Sequence, residues 1–224
     1  MSLRAVLFDV DFTLCRPGPE LGPAGYERLG REYGLVLDPE RYRAARAAAI
    51  EDLRVHPELE HDEAVWLRFT EDIVRGMGGR GPAVREVARR IVRGWEEARN
   101  FEVYEDVGPT LSELRRRGLK LGLVSNTSRD LGAFVSHHSL DVDAWVSSGA
   151  LGKVKPSPLI FQAALELLGV EPVEAVMVGD SLRDDVEGAR AAGLRAILLD
   201  RAGLFPTACD RIQSLTELPA ALGL

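Results

Sequence analysis

The chain has 224 residues, enough for one domain or for one domain carrying a sizeable insertion. Its 28 Lys and Arg against 35 Asp and Glu leave a net charge of −7, with 46% apolar and 28% charged residues, which excludes a disordered or collagen-like chain. That acidic balance repels phosphate backbones, so no nucleic-acid partner is expected, and Cys15 and Cys209 without a CxxC or a clustered histidine argue against a disulfide framework or a zinc site.

The elements follow from hydrophobic pattern. Ala5 to Phe8 is a short apolar run ended by a charge, the signature of a strand buried on both faces of a parallel sheet. The acids that follow at once leave no room for a signal-peptide core, and no stretch reaches the roughly 20 apolar residues of a membrane span. A cytoplasmic protein without a membrane partner is therefore expected. From about residue 20 to residue 100 no strand pattern occurs; Ala, Arg and Glu recur at helical spacing, as in Tyr42 to Ala48, and the Gly-rich stretch from Gly76 to Pro82 reads as a loop. Residues 17–100 are thus predicted to be an inserted helical domain, with residues 1–16 and 101–224 forming an α/β core.

After the insertion, strands are predicted at Leu121–Val124, Ala144–Val146, Ala175–Val178 and Ala196–Leu199. Helices alternate with them. One runs from Val107 with Asp106 as N-cap to a stop at Gly118, a second opens at Ser157-Pro158 and ends at Gly169, and a third covers Asp184 to Ala192. This alternation implies right-handed crossovers and a Rossmann-like three-layer α/β core around a parallel sheet. The segment from Ala208 to Leu224 reads as a strand-edge turn and a packing helix with Leu215, Leu218 and Leu222 on one face. Trp66, Trp95 and Trp145 are expected to anchor the core or a domain interface. Arg41, Arg43 and Arg46 are expected on a solvated face, and His56, His61, His137 and His138 show no metal spacing and receive no role.

Four polar features stand at the C-terminal ends of predicted strands, where open α/β sheets bind ligands. Asp9 and Asp11, two residues apart, both reach one crevice. Ionised carboxylates sharing a site repel unless a cation joins them or one takes a proton. Near a divalent metal, one can attack phosphorus while its neighbour protonates a leaving oxygen and later deprotonates a water. Ser125, Asn126 and Thr127 offer a hydroxyl and backbone N–H groups to an anionic oxygen. Lys153 and Lys155 sit by a helix entrance, where an ammonium neutralises a phosphoryl group. Asp180, followed by Asp184 and Asp185, adds carboxylates whose oxygens suit a hard ion such as Mg²⁺.

These motifs, from Val6-Leu7-Phe8-Asp9-Val10-Asp11-Phe12-Thr13 through Ser125-Asn126 and Lys155-Pro156 to Gly179-Asp180, resemble those of the haloacid dehalogenase-like hydrolase superfamily. The resemblance implies Asp9 as a nucleophile forming an aspartyl-phosphate and Asp11 as the acid/base residue, its backbone carbonyl also contacting Mg²⁺. It implies that Ser125, with Asn126, binds the phosphoryl group, that Lys155 steadies the charge, and that Asp180 and Asp185 complete the metal site. Asp184 competes with Asp185 for the last role, and motif spacing favours Asp185. The helical block matches the position of the superfamily's inserted cap. The expected reaction is Mg²⁺-dependent hydrolysis of a small phosphorylated metabolite by a monomer or homodimer. A phosphomutase or phosphonate-cleaving enzyme is the alternative, and a 2-haloacid dehalogenase follows, disfavoured because Asp11 is present. A silent scaffold with the same fold is disfavoured by the intact acids. Phe12 departs from the Gly that many relatives carry after the second Asp.

Overall fold

The computed structural model describes residues 2–55, 63–206 and 210–224, so His56, His61 and Cys209 lie outside the described residues. The first strand, β1 (Ala5–Phe8), is wholly buried, as its continuous apolar run requires. The chain continues through β2 (Cys15–Pro17) into four helices, α1 (Pro23–Glu32), α2 (Tyr42–Val55), α3 (Glu63–Gly76) and α4 (Ala83–Gly94), and returns at β3 (Phe101–Val103). Strand β3 pairs with β2 in a two-stranded sheet. Next come α5 (Val107–Arg116), β4 (Lys120–Ser125), α6 (Leu131–His138), β5 (Ala144–Ser147), α7 (Ser148–Leu151) and α8 (Pro158–Leu168). The chain ends with β6 (Ala175–Gly179), α9 (Gly188–Ala191), β7 (Arg195–Leu199), β8 (Arg211–Ile212) and α10 (Leu218–Leu222).

Two compact units result: Met1–Arg16 with Glu102–Leu224, and Pro17–Phe101. In the first, six strands pair in parallel in the order β5-β4-β1-β6-β7-β8. Central β1 is bordered by β4 in register Phe8 with Leu123 and by β6 in register Phe8 with Val178. The connections therefore reverse direction around β1, and the crevice beyond its C-terminal end is the switch point where ligands bind in such sheets. On one face Leu7, Val124, Met177 and Leu198 pack with Ile160, Phe161 and Leu165 of α8. Val6, Phe8, Leu123 and Val178, which alternate with them, are equally sealed, as are Leu111 and Leu114 of α5. Each such side chain contributes about 1.5–3 kcal/mol on burial.

The helical unit has its own core, in which Tyr26, Leu37, Ile73, Val74, Met77, Val87 and Ile91 meet. The α4 sequence puts Val84, Val87, Ala88 and Ile91 on one buried stripe at three- and four-residue spacing. Among the described residues, no helix is long and apolar enough to cross a membrane.

Several expectations need correction. Trp66 and Trp145 are 44% and 42% exposed and anchor no core; Trp95 does pack, edge-on against Phe101 at 5.6 Å. Asp106 precedes α5 but makes no side-chain cap. Its carboxylate instead accepts from both Nη atoms of Arg201, from Ser214 Oγ and from Leu215 N–H, all at 2.9 Å. Charged and buried donors outcompete a local cap. The helix expected from Asp184 begins as a π-helical turn at Leu182–Glu187, capped by Ser181, before α9. The last segment adds a strand, β8, to the sheet edge, with Leu215 and Leu218 fully buried behind it.

Candidate active site

The sheet itself positions Asp9. Its N–H donates to Val178 O at 2.9 Å, extending the β1–β6 ladder by one residue, and the residue is 6% exposed. The chain then turns sharply, with Phe12 N–H on Cys15 O at 2.7 Å and Leu14 N–H on Val10 O at 2.8 Å. Phe12 adopts φ 65°, in the left-handed region where a β-carbon costs about 1–2 kcal/mol. Glycine is at ease there, which gives a physical reason for its use at this position; the ring here points partly into solvent, 37% exposed, and the turn forms regardless.

Lys155 is 2% exposed, and its Nζ donates to Asp9 Oδ1 at 2.6 Å and to Asp185 Oδ1 at 2.7 Å. Asn126 sets this lysine in place: its Nδ2 donates to Lys155 O at 3.1 Å, and its Oδ1 accepts from Lys155 N–H at 2.7 Å. The Asn126 side chain, expected at the substrate, is thus engaged at both ends in a backbone clamp, because an amide matches a peptide group donor for acceptor. Lys153, the other candidate, is exposed.

The π-turn separates the two competing acids. Asp185 N–H and Val186 N–H both donate to Ser181 O, and the wide turn folds the Asp185 carboxylate back until its Oδ2 accepts from Ser181 N–H at 2.9 Å. Asp185 is 1% exposed; Asp184 is half-buried and lies outside the acidic group described next. Gly179 makes this fold-back possible, since a β-carbon there would stand 2.2 Å from Asp185 Oδ2.

Asp9, Asp180 and Asp185 offer carboxylate oxygens that all lie within 4.8 Å of one another. Burial lifts the Asp9 carboxyl well above its ordinary pKa despite Lys155, and Asp185 and Asp180 push it further. Burial, with help from Asp185, raises Asp180 to about 7. Burial opposes the charge of Lys155, but Asp185 and Asp9 outweigh it and hold the ammonium above its usual range. Among the described residues, three carboxylates thus face one bonded ammonium, an excess of two negative charges in a mostly buried space. An all-oxygen donor set with that excess fits a hard divalent cation.

Ser125 ends β4, is 1% exposed and stands in register with Ser147 of β5, beside the clamp of Asn126. Asp11 does not join the three acids. Its oxygens accept from Arg129 Nη2 at 2.9 and 3.2 Å, and Cys15 Sγ lies 3.6 Å from Oδ1. Burial and then Asp11 push the Cys15 thiol far up, so it stays protonated and donates. Arg129 escaped the reading of the sequence. It sits in a polar run after a strand, where an arginine is ordinarily solvated, and the partner that makes it different is 118 positions away.

The haloacid dehalogenase-like hydrolase family matches residues 3–193. The chain is 34% identical to a phosphoserine phosphatase of Thermus thermophilus, with 91% of each chain covered. It is 33% identical to a glyceraldehyde 3-phosphate phosphatase of Methanopyrus kandleri, over 89% of this chain and 84% of the other. Among solved structures, a HAD phosphatase from Thermococcus onnurineus is 31% identical and covers 99% of this chain and 98% of its own, with a TM-score of 0.66. With its parallel sheet, its acids at the strand ends and these relatives, the chain belongs to the haloacid dehalogenase-like hydrolase family and is a hydrolase.

Proposed function

We propose that the protein is a Mg²⁺-dependent phosphoric monoester hydrolase that acts on a small phosphorylated metabolite through an aspartyl-phosphate at Asp9. The carrying observation is the mostly buried group of Asp9, Asp180 and Asp185 against the one ammonium bonded to it among the described residues, that of Lys155. Relatives whose names specify phosphoserine and glyceraldehyde 3-phosphate support the substrate class.

Lys155 holds one oxygen of Asp9 and thereby fixes its rotamer, leaving the second oxygen to attack phosphorus. Ser125 Oγ and the backbone N–H groups after β4 bind the phosphoryl oxygens. Asp9, Asp180 and Asp185, with the Asp11 backbone carbonyl, would hold a divalent cation, which when bound would supply Lewis-acid neutralisation of those oxygens. As the Asp9–phosphorus bond forms and the ester P–O bond breaks, Asp11 passes a proton to the departing alkoxide. Asp11 then takes a proton from water, whose oxygen attacks phosphorus and restores Asp9. Mg²⁺ is favoured over softer ions by the oxygen-only donors. The helical unit, near residues 17–100, is read as the cap whose side chains select the substrate and whose closure excludes water.

The test is phosphate release from p-nitrophenyl phosphate and a panel of small phosphate esters, with Mg²⁺ and with EDTA. Metal-dependent release by the wild type, lost in a folded Asp9→Asn, is expected. Asp9→Asn retaining more than about a tenth of the rate, a barrier change under ~1.4 kcal/mol, would refute the nucleophile assignment. Halide release from a 2-haloacid without any ester hydrolysis would replace the whole reading.

A further inference from the structure

The mechanism above gives Arg129 no part, yet its placement is specific. It lies between β4 and α6, four residues beyond Ser125, and is 2% exposed. Its backbone N–H is tied to Thr127 Oγ1 at 3.1 Å, and its guanidinium packs over the Phe134 ring, 5.2 Å from the centroid. Burying an arginine is costly unless it is paired, and its charged partner is Asp11 on the loop after β1. The Asp11 side chain is 22% exposed, so solvent already reaches this carboxylate and neutralisation alone does not call for a buried cation.

What the pair adds is position. Asp9 and Asp11 stand two residues apart on one tight turn, yet each has its own cation. Lys155 takes Asp9, and Arg129, from a different loop, takes Asp11. The two oxygens of Asp11 are also held unequally. Oδ1 accepts from Arg129 Nη2 at 2.9 Å and from Cys15 Sγ at 3.6 Å, whereas Oδ2 accepts from Arg129 Nη2 at the longer distance of 3.2 Å. Oδ1 is therefore the anchored atom and Oδ2 the one able to carry a proton while the carboxyl keeps its place.

We propose that Arg129 is a positioning residue that anchors Asp11 through Oδ1 and so presents Oδ2 to the leaving oxygen of the substrate. The proposal rests on the phosphatase reading and adds to it a residue acting only on the step in which the alcohol departs.

The experiment compares kcat/KM, which covers steps up to departure of the leaving group, for an alkyl phosphate and for p-nitrophenyl phosphate. An alkoxide needs a proton to leave; p-nitrophenolate does not. Arg129→Met is expected to lower kcat/KM for the alkyl ester by about 100-fold, the size of a lost general acid, and for the nitrophenyl ester by less than about tenfold. Arg129→Lys, a single cation without the planar fork, should recover part of the alkyl activity. Asp11→Asn should show the same contrast between esters, and adding Arg129→Met to it should cost nothing further. Equal losses on both esters, or none on either, would overturn the positioning role. If Arg129→Met does not fold, the same contrast read in Arg129→Lys decides. A wild type that hydrolyses neither ester, or an Asp11→Asn without the contrast, would instead sink the phosphatase reading itself.

Discussion

Asp180 offers a direct measure of the negative charge built into the site. Burial and Asp185 raise its pKa from 3.8 to about 7 in the metal-free protein. A carboxyl whose folded pKa lies above its unfolded value is protonated in the folded state over the interval between them, so stability falls as pH rises through that interval. About three pH units at ~1.4 kcal/mol each give a cost of about 4 kcal/mol above pH 7, and less than half of that at pH 5. Asp180→Asn, which keeps the shape and removes the charge, should therefore stabilise the protein in EDTA at pH 8 by up to about 4 kcal/mol, roughly 10 °C in Tm for a chain of this size. At pH 5 the gain should shrink by more than half. With Mg²⁺ the gap should narrow: at a hundred times its Kd, a ligand of the folded state stabilises the wild type by ~2.7 kcal/mol, while the variant lacks one ligand, so an advantage of about 4 kcal/mol falls to about 1.3 kcal/mol. Urea unfolding at both pH values, with EDTA and with Mg²⁺, measures all four quantities. A variant less stable than the wild type in EDTA at pH 8, or a gain that does not change with pH, would refute the argument that the acids outnumber their cation.

Three further perturbations test the geometry. Gly179→Ala places a β-carbon against Asp185 and should displace it, costing about 1–3 kcal/mol of stability and abolishing stabilisation by Mg²⁺; a normal response to Mg²⁺ in thermal melts would show that Asp185 need not sit there. At Phe12, with φ 65°, a Gly variant should be more stable than an Ala variant by about 0.5–1.5 kcal/mol, the reverse of the usual order; equal urea midpoints would mean that the turn relaxes. Arg201→Met removes two hydrogen bonds to Asp106, one to Thr13 O and a stacked cation 3.9 Å from the Tyr104 centroid. A loss of about 2–4 kcal/mol in urea unfolding is expected, and one below about 0.5 would show that Ser214 and Leu215 suffice for Asp106.

The strands, and with them Asp9, Ser125 and Asp180 at or just beyond the strand ends, were legible because the signals are local; Lys155, which stands after α7 and before α8, lies farther from its strand than expected. A strand buried on both faces must be a continuous apolar run, and a polar residue just past it stands at the edge of the sheet wherever the neighbouring strands fall. The run of helices between β2 and β3 was legible for the same reason, since its periodicity changes within the chain itself. What tertiary structure decided was partnership. That Asp185, rather than Asp184, stands beside Asp9 and Asp180 depends on a π-turn that the contacts around Ser181 and the bare α-carbon of Gly179 permit. Asp106 looked like a helix cap until Arg201, 95 positions away, claimed it. Trp66 and Trp145 were expected to anchor the core or a domain interface, yet they are 44% and 42% exposed. Arg129 carried no signal at all, because its burial and its hold on Asp11 exist only once β1 and β4 lie side by side. Periodicity reports which face a residue occupies; the identity of a charge's partner is set by long-range packing, which no local pattern encodes.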